Sequence, residues 1–271
     1  MTMRESDLKD LFKRKYIGKN INLCRDKMEE FVDSTIKLLY PAMCNKSANN
    51  EAELSEKFSY LKNELELIIN CINDELHENS NSSEIIDEFF KSLINLESMM
   101  NVDAEFILQG DPAAKSLNEV VICYPGFYAI AVYRIARFFY KKNIPIFPRI
   151  LTEYAHRRTG IDIHPGASIK SPFFIDHGTG VVIGETAVIG EKVKIYQGVT
   201  LGSTSVSKDL ANTKRHPSIG ANCIIYSNAT ILGGDTIIGE NCVIGGNVWI
   251  TKSIAPNTQV YYKKSQSEVS S

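Results

Sequence analysis

The chain is poor in the features that mark secreted, nucleic-acid-binding or membrane proteins. Its six cysteines (Cys24, Cys44, Cys71, Cys123, Cys223 and Cys242) are scattered and include no C-x-x-C pair. They read as free thiols in a reducing compartment, which excludes a disulfide framework and a cysteine zinc site. Neither sign of charge dominates: 30 Lys and Arg face 32 Asp and Glu, a net charge of −2. Nothing therefore recommends nucleic acid or an anionic membrane as a partner. No uninterrupted apolar run of about 18 residues is present, so no membrane span is expected. The opening residues, Met1-Thr2-Met3-Arg4-Glu5-Ser6-Asp7, lack the apolar core of a signal peptide. The expected location is the cytoplasm.

What is present is a repeat. From Ile163 an apolar residue returns every six positions: Ile163, Ile169, Ile175, Val181, Ala187, Val193, Val199. The series resumes as Ile219, Ile225, Ile231, Ile237, Val243 and Trp249. A period of six fits neither a helix nor an alternating strand. It fits a three-faced coil with six residues per face, each coil stacked on the last at roughly the 4.8 Å strand spacing. Gly184, Gly190, Gly220, Gly239 and Gly245 each follow an aliphatic residue where such a coil turns a corner. This pattern is a parallel β-helix of hexapeptide repeats.

Residues 1–155 lack that period and carry apolar residues at helical spacing. Leu54, Phe58, Leu61, Leu65 and Ile68 mark one amphipathic helix; Ile85, Phe89, Leu93 and Leu96 mark another. Asp111-Pro112 reads as a helix N-terminus, with Asp as N-cap and Pro at the first helical position. Tyr124-Pro125-Gly126-Phe127-Tyr128-Ala129 opens a helix that ends near Pro145. Its aromatics suit burial against the β-helix or a neighbouring subunit, and the open end of the β-helix must be covered. The expected class is α+β in two parts: an all-helical N-terminal domain (1–155), then a left-handed parallel β-helix (156–258) with one inserted loop, about 203–217. Residues 259–271 read as a flexible tail.

The loop is polar, lacks repeat residues and ends in Arg215-His216-Pro217. Insertions in a repeat array map to one face, often the binding face. Of five histidines, His164, His177 and His216 lie in or beside the repeat. His164 reads as structural. His177 stands in Asp176-His177-Gly178-Thr179-Gly180, where glycines allow close approach of a ligand. Asp162, fifteen residues earlier, is close to one coil away, so a carboxylate could fix the imidazole tautomer.

The segments Asp162-Ile163-His164-Pro165, Ile175-Asp176-His177-Gly178-Thr179-Gly180, Val182-Ile183-Gly184-Glu185-Thr186-Ala187, Gln197-Gly198-Val199-Thr200-Leu201-Gly202 and Arg215-His216-Pro217 resemble the serine O-acetyltransferases. The resemblance reaches back to Asp111-Pro112-Ala113 and Gly126-Phe127-Tyr128-Ala129. It implies transfer of acetyl from acetyl-CoA, a co-substrate, to the hydroxyl of L-serine, giving O-acetyl-L-serine and CoA, the first step of cysteine biosynthesis. It implies His177 as general base with Asp162 as its orienting partner. Asp111 and Asp176 would bind the substrate ammonium, Arg215 its carboxylate, and His216 would lie near its hydroxyl. Gly202, Ser203, Thr204, Ser227 and Cys242 would contact the cofactor arm in a groove between neighbouring β-helices, without metal. A homotrimer or a dimer of trimers follows, with feedback inhibition by L-cysteine. A terminal isoleucine docks such enzymes into O-acetylserine sulfhydrylase; this chain ends in Ser271, so that complex is not expected.

An acetyltransferase for another hydroxyl acceptor, such as a sugar, is the alternative. A sugar offers neither ammonium nor carboxylate to Asp111, Asp176 and Arg215. A three-histidine zinc enzyme needs closer histidines than these. A binding scaffold would leave Asp162 and His177 without a task.

Overall fold

The computed structural model describes residues 9–10, 13, 23–44, 50–204 and 213–262. Among these, the helical half comprises α1 (Arg25–Leu39), α2 (Glu51–Leu76), α3 (Ser82–Gly110), α4 (Leu117–Cys123), α5 (Pro125–Lys141) and α6 (Phe147–Thr159). The side chains of Asn50, Asn81 and Ser116 accept from the backbone N–H of Glu53, Glu84 and Glu119 at 2.9, 3.3 and 3.1 Å. Each satisfies one of the donors a helix start leaves unpaired. The apolar spacing holds over most of α2 and α3, with Leu61, Leu65, Ile68, Ile85, Phe89 and Leu93 buried. Leu54 and Phe58 are exposed instead. No single helix among the described residues is long and apolar enough to cross a membrane.

Asp111 is not a helix N-cap. It closes the C-terminus of α3, and its Oδ1 accepts from the Ala113 N–H at 2.8 Å within a turn. The next helix starts later because Ser116 caps it, and Glu119 reaches back to the Lys115 N–H at 2.7 Å.

The strands stack into three flat faces of parallel strands. The first face holds β1 (Asp162–Ile163), β4 (Val182–Ile183), β7 (Thr200–Gly202), β10 (Thr230–Leu232) and β13 (Trp249–Ile250). The second holds β2 (Ser168–Ile169), β5 (Val188–Ile189), β8 (Ser218–Ile219) and β11 (Ile237–Ile238). The third holds β3 (Phe173–Ile175), β6 (Val193–Ile195), β9 (Ile224–Ile225), β12 (Val243–Ile244) and β14 (Gln259–Val260). Coiling thus continues past residue 258, since β14 pairs with β12. Residues 263–271 of the expected tail lie outside the described residues.

Two residues of each six point inward, so the apolar residue that returns every six positions is one of a pair. Ile161 and Ile163, Ala167 and Ile169, Val181 and Ile183, and Val199 and Leu201 are buried in pairs two apart. Coil lengths vary around eighteen: Val182 pairs with Thr200, whereas Asp162 pairs with Val182, twenty residues on. The two extra residues lie in the Asp176–Gly180 corner. A two-residue slip moves one inward position onto the other and leaves the apolar series unbroken. At Gly233-Gly234 a single extra residue reverses the alternation. Ile238, Ile244 and Ile250 then face inward, while Ile237 and Trp249 are 54% and 70% exposed.

Helix α5 covers the open edge of the first coil. The Tyr133 hydroxyl donates to Ala167 O at 2.6 Å and accepts from Ile169 N–H at 3.1 Å. Arg134 and Asp103 form a buried, two-bond pair, and Asp103 also accepts from Ser171 Oγ and Phe173 N–H at 2.9 Å each. This joins α3 and α5 to β3, the strand that leads to Asp176 and His177. A buried carboxylate is tolerated here because it is fully hydrogen-bonded.

Candidate active site

The candidate residues collect along two edges of the prism. Asp176 and His177 stand where the third face turns into the first, between β3 and β4. His177 has φ +58°, a left-handed backbone that few non-glycine residues adopt and that Asn228 and Asn247 share at later turns. His177's side chain is 71% exposed and that of Asp176 13%, with Nδ1 3.9 Å from Oδ1. Asp111 comes to the same edge from the end of α3. Its Oδ2 accepts from Tyr124 OH at 2.6 Å. That bond, the Ala113 N–H, and the Lys194 and His177 charges hold the Asp111 carboxyl below its ordinary range. The same bond pushes the Tyr124 phenol up to about 12. The Lys194 ammonium lies 4.5 Å from the Phe174 ring centroid and donates to Gly110 O, next to Asp111.

Arg215 and His216 stand on another edge, where the first face turns into the second. The Thr186 hydroxyl accepts from the Arg215 and His216 N–H groups at 2.9 and 3.0 Å. Its own proton then goes to His216 Nδ1, 2.9 Å away, which also accepts from Thr186 N–H at 3.1 Å. With Nδ1 accepting, the neutral ring carries its proton on Nε2. Burial, then the Arg215 and Lys214 charges, lowers the His216 pKa to about 4. Arg215 pairs with Glu185, which also accepts from Tyr140 OH at 3.0 Å. Burial pushes the Glu185 carboxyl up, but those two donors outweigh it and hold it low. His164 belongs to this edge, its Nδ1 accepting from Gly166 N–H at 3.0 Å.

The structure does not join Asp162 to His177: among the described residues no hydrogen bond or ion pair links them. Asp162 faces Arg149 of α6, with Oδ1 3.6 Å from Nη1. Near coincidence along the chain misses the contact because the long Asp176–Gly180 corner carries His177 outward. Glu153, His156 and Asp162 bring potential metal-ligand atoms within 4.8 Å of one another. The Arg149 guanidinium already pairs with both carboxylates there.

The expected cofactor positions divide likewise. Gly202, Ser203 and Thr204 follow the first-to-second edge, and residues 205–212 of the loop lie outside the described residues. Ser227 lies on the third-to-first edge beside the stacked rings of Tyr196 and Tyr226, 5.1 Å apart. The Cys242 side chain points into the β-helix interior, fully buried, with Sγ donating to Ala255 O at 3.1 Å. An outer groove cannot reach that thiol. Sequence reasoning missed Tyr124, Glu185 and Thr186, which stand in the quoted segments, and Lys194, which stands outside them; all four act by contacts distant in sequence.

No family model matches the chain. A plasmid-borne serine acetyltransferase of Synechococcus elongatus is 44% identical over 178 residues, covering 64% of this chain and 56% of that relative. The chain thus spans little more than half the length of this curated relative. The crystal structure of Entamoeba histolytica serine acetyltransferase 1 in complex with L-cysteine is similar at 37% identity and TM-score 0.77, covering 85% of this chain and 86% of that one. The serine complex of the Neisseria gonorrhoeae enzyme is similar at 25% identity and TM-score 0.60, covering 86% and 95%. With its two clusters set on the edges of a hexapeptide β-helix and these likenesses across most of its length, the chain belongs to the serine acetyltransferase family.

Proposed function

We propose that the protein transfers acetyl from acetyl-CoA to the hydroxyl of L-serine, at a site completed between two copies of the chain. The observation that carries this is the separation of the two clusters. Between Gly180 and Glu185 the chain crosses one flat face, five residues of extended backbone, or about 17 Å. The ammonium and carboxylate of an amino acid share one carbon and cannot span that face. Packing β-helices edge to edge in a closed ring sets the Asp111, Asp176 and His177 edge of one chain against the Arg215 and His216 edge of the next. A homotrimer is the simplest such ring; helical domains pairing two trimers would give a hexamer.

In this site Asp111 and Asp176 take the ammonium, and Arg215, held by Glu185, meets the carboxylate as a two-pronged donor. His177 takes the hydroxyl proton as the oxygen attacks the thioester carbonyl, and CoA thiolate leaves with a proton returned to it. Asp162 orients His177 once it exchanges Arg149 for the imidazole; catalytic hydrogen bonds often tighten only with substrate bound. The neutral His216 offers Nε2–H as a donor near the hydroxyl. Gly202, Ser203, Thr204 and Ser227 expose small side chains and backbone along the groove, which suits a long pantetheine arm. Amides near Ser203 would stabilise the oxyanion. L-cysteine, with the same ammonium and carboxylate, would occupy the serine site and inhibit. The free thiols among the described residues suit a reducing cytoplasm.

The test is CoA release from acetyl-CoA with L-serine, a panel of sugars, or no acceptor. Release with serine alone, reduced at least roughly 100-fold in His177→Ala, is expected. Release with sugars but not serine would overturn the roles of Asp111, Asp176 and Arg215. No release with any acceptor would favour a binding scaffold.

A further inference from the structure

We propose that Tyr124 is a positioning residue of the serine site, fixing Asp111 and setting its spacing from Asp176. The inference rests on the function proposed above and adds a residue to it. Asp111 sits at a helix end followed by a turn, where a carboxylate would ordinarily sample several rotamers. Here each oxygen has one protein donor: Oδ1 the Ala113 N–H at 2.8 Å, Oδ2 the Tyr124 hydroxyl at 2.6 Å. A carboxylate oxygen has two lone-pair sites, so each keeps one for an incoming ammonium.

Tyr124 is itself fixed against the other carboxylate. It is the N-cap of α5, directly before Pro125 and Gly126. Gly126 lies flat on the backbone of Ile175, where a Cβ would stand 2.1 Å from the Ile175 carbonyl oxygen. Ile175 immediately precedes Asp176. The path from Asp111 through the phenol, the first residues of α5 and Ile175 to Asp176 therefore consists of one side-chain hydrogen bond, one close backbone packing contact and short stretches of chain. Asp111 arrives on α3 and Asp176 directly after β3; the phenol ties Asp111 to the start of α5, and Gly126 one step further packs that start onto β3. Because the Tyr124 hydroxyl is held as a donor well above neutral pH, the brace persists across the working range.

The experiment is a double-mutant cycle on the full chain, with Tyr124→Phe, Asp111→Ala and the pair. Tyr124→Phe keeps the ring and removes only the hydroxyl. Its serine KM should rise about ten-fold, the effect of losing a hydrogen bond to a charged group, with kcat and the acetyl-CoA KM within about two-fold. The acid limb of serine kcat/KM should move to higher pH as Asp111 loses its strongest donor. In the Asp111→Ala background Tyr124→Phe should change the serine KM by less than about two-fold. An unchanged serine KM in Tyr124→Phe, or an equal effect with and without Asp111, would overturn the proposal. Failure of the function reading is separately visible, as wild-type protein that releases no CoA with serine. In that case carboxyl NMR of Asp111 decides, since an Asp111 titration unmoved by Tyr124→Phe would refute the brace itself.

Discussion

Gly184 lies directly beneath the imidazole of His216, so close that a Cβ on Gly184 would stand 2.0 Å from Cδ2 and 2.1 Å from Nε2. The glycine is needed for that approach, since its backbone is not in the left-handed region. Gly184→Ala should push the ring off Thr186 and disturb the Arg215 backbone bonded to the same hydroxyl. A serine kcat/KM at least ten-fold lower is expected in a variant that remains folded, about the effect of one misplaced polar contact. Steady-state kinetics with circular dichroism on the same samples checks this; unchanged kinetics would separate His216 from the reaction.

His216 also predicts how stability depends on pH. Its folded pKa of about 4 lies below the ordinary imidazole value of 6.5. The unfolded chain therefore binds a proton that the folded chain refuses between those values. Stability from the neutral ring is full above about pH 6.5 and is lost as pH falls toward 4, by on the order of 2–3 kcal/mol. Urea midpoints between pH 7 and 4 should fall less steeply in His216→Gln than in the wild type. His164, lowered in the same direction by burial, leaves the variant with part of the slope. Parallel curves would show that His216 is protonated without penalty.

Much of the fold could be read from the sequence because the hexapeptide period is enforced by burial at every coil. What escaped was the exact phase. Two inward positions per face hid the long corner at His177, and one extra residue at Gly233-Gly234 turned Ile237 and Trp249 outward. The turn signals of Asp111-Pro112 were real but belonged to a helix end, because Ser116 supplies the stronger N-cap. The residue types of the candidate site were legible in local motifs. Its braces were not, because Tyr124 on Asp111 and Thr186 on His216 join residues 13 and 30 apart. The spacing of Asp162 and His177 carries no sign of Arg149, which reaches the Asp162 carboxylate from α6.

One serine site that uses the His177 edge of one chain and the Arg215 edge of another can be rebuilt from two defective chains. Complementation tests it most directly. His177→Ala and Arg215→Ala chains, each nearly inactive alone, are co-expressed under different tags, and doubly tagged oligomers are purified and assayed for CoA release with serine. In a ring of three, each mixed oligomer regenerates one site with both residues intact, so about a third of wild-type activity per oligomer is expected. Activity no higher than that of the single variants, in oligomers verified to contain both chains, would place the whole site within one chain.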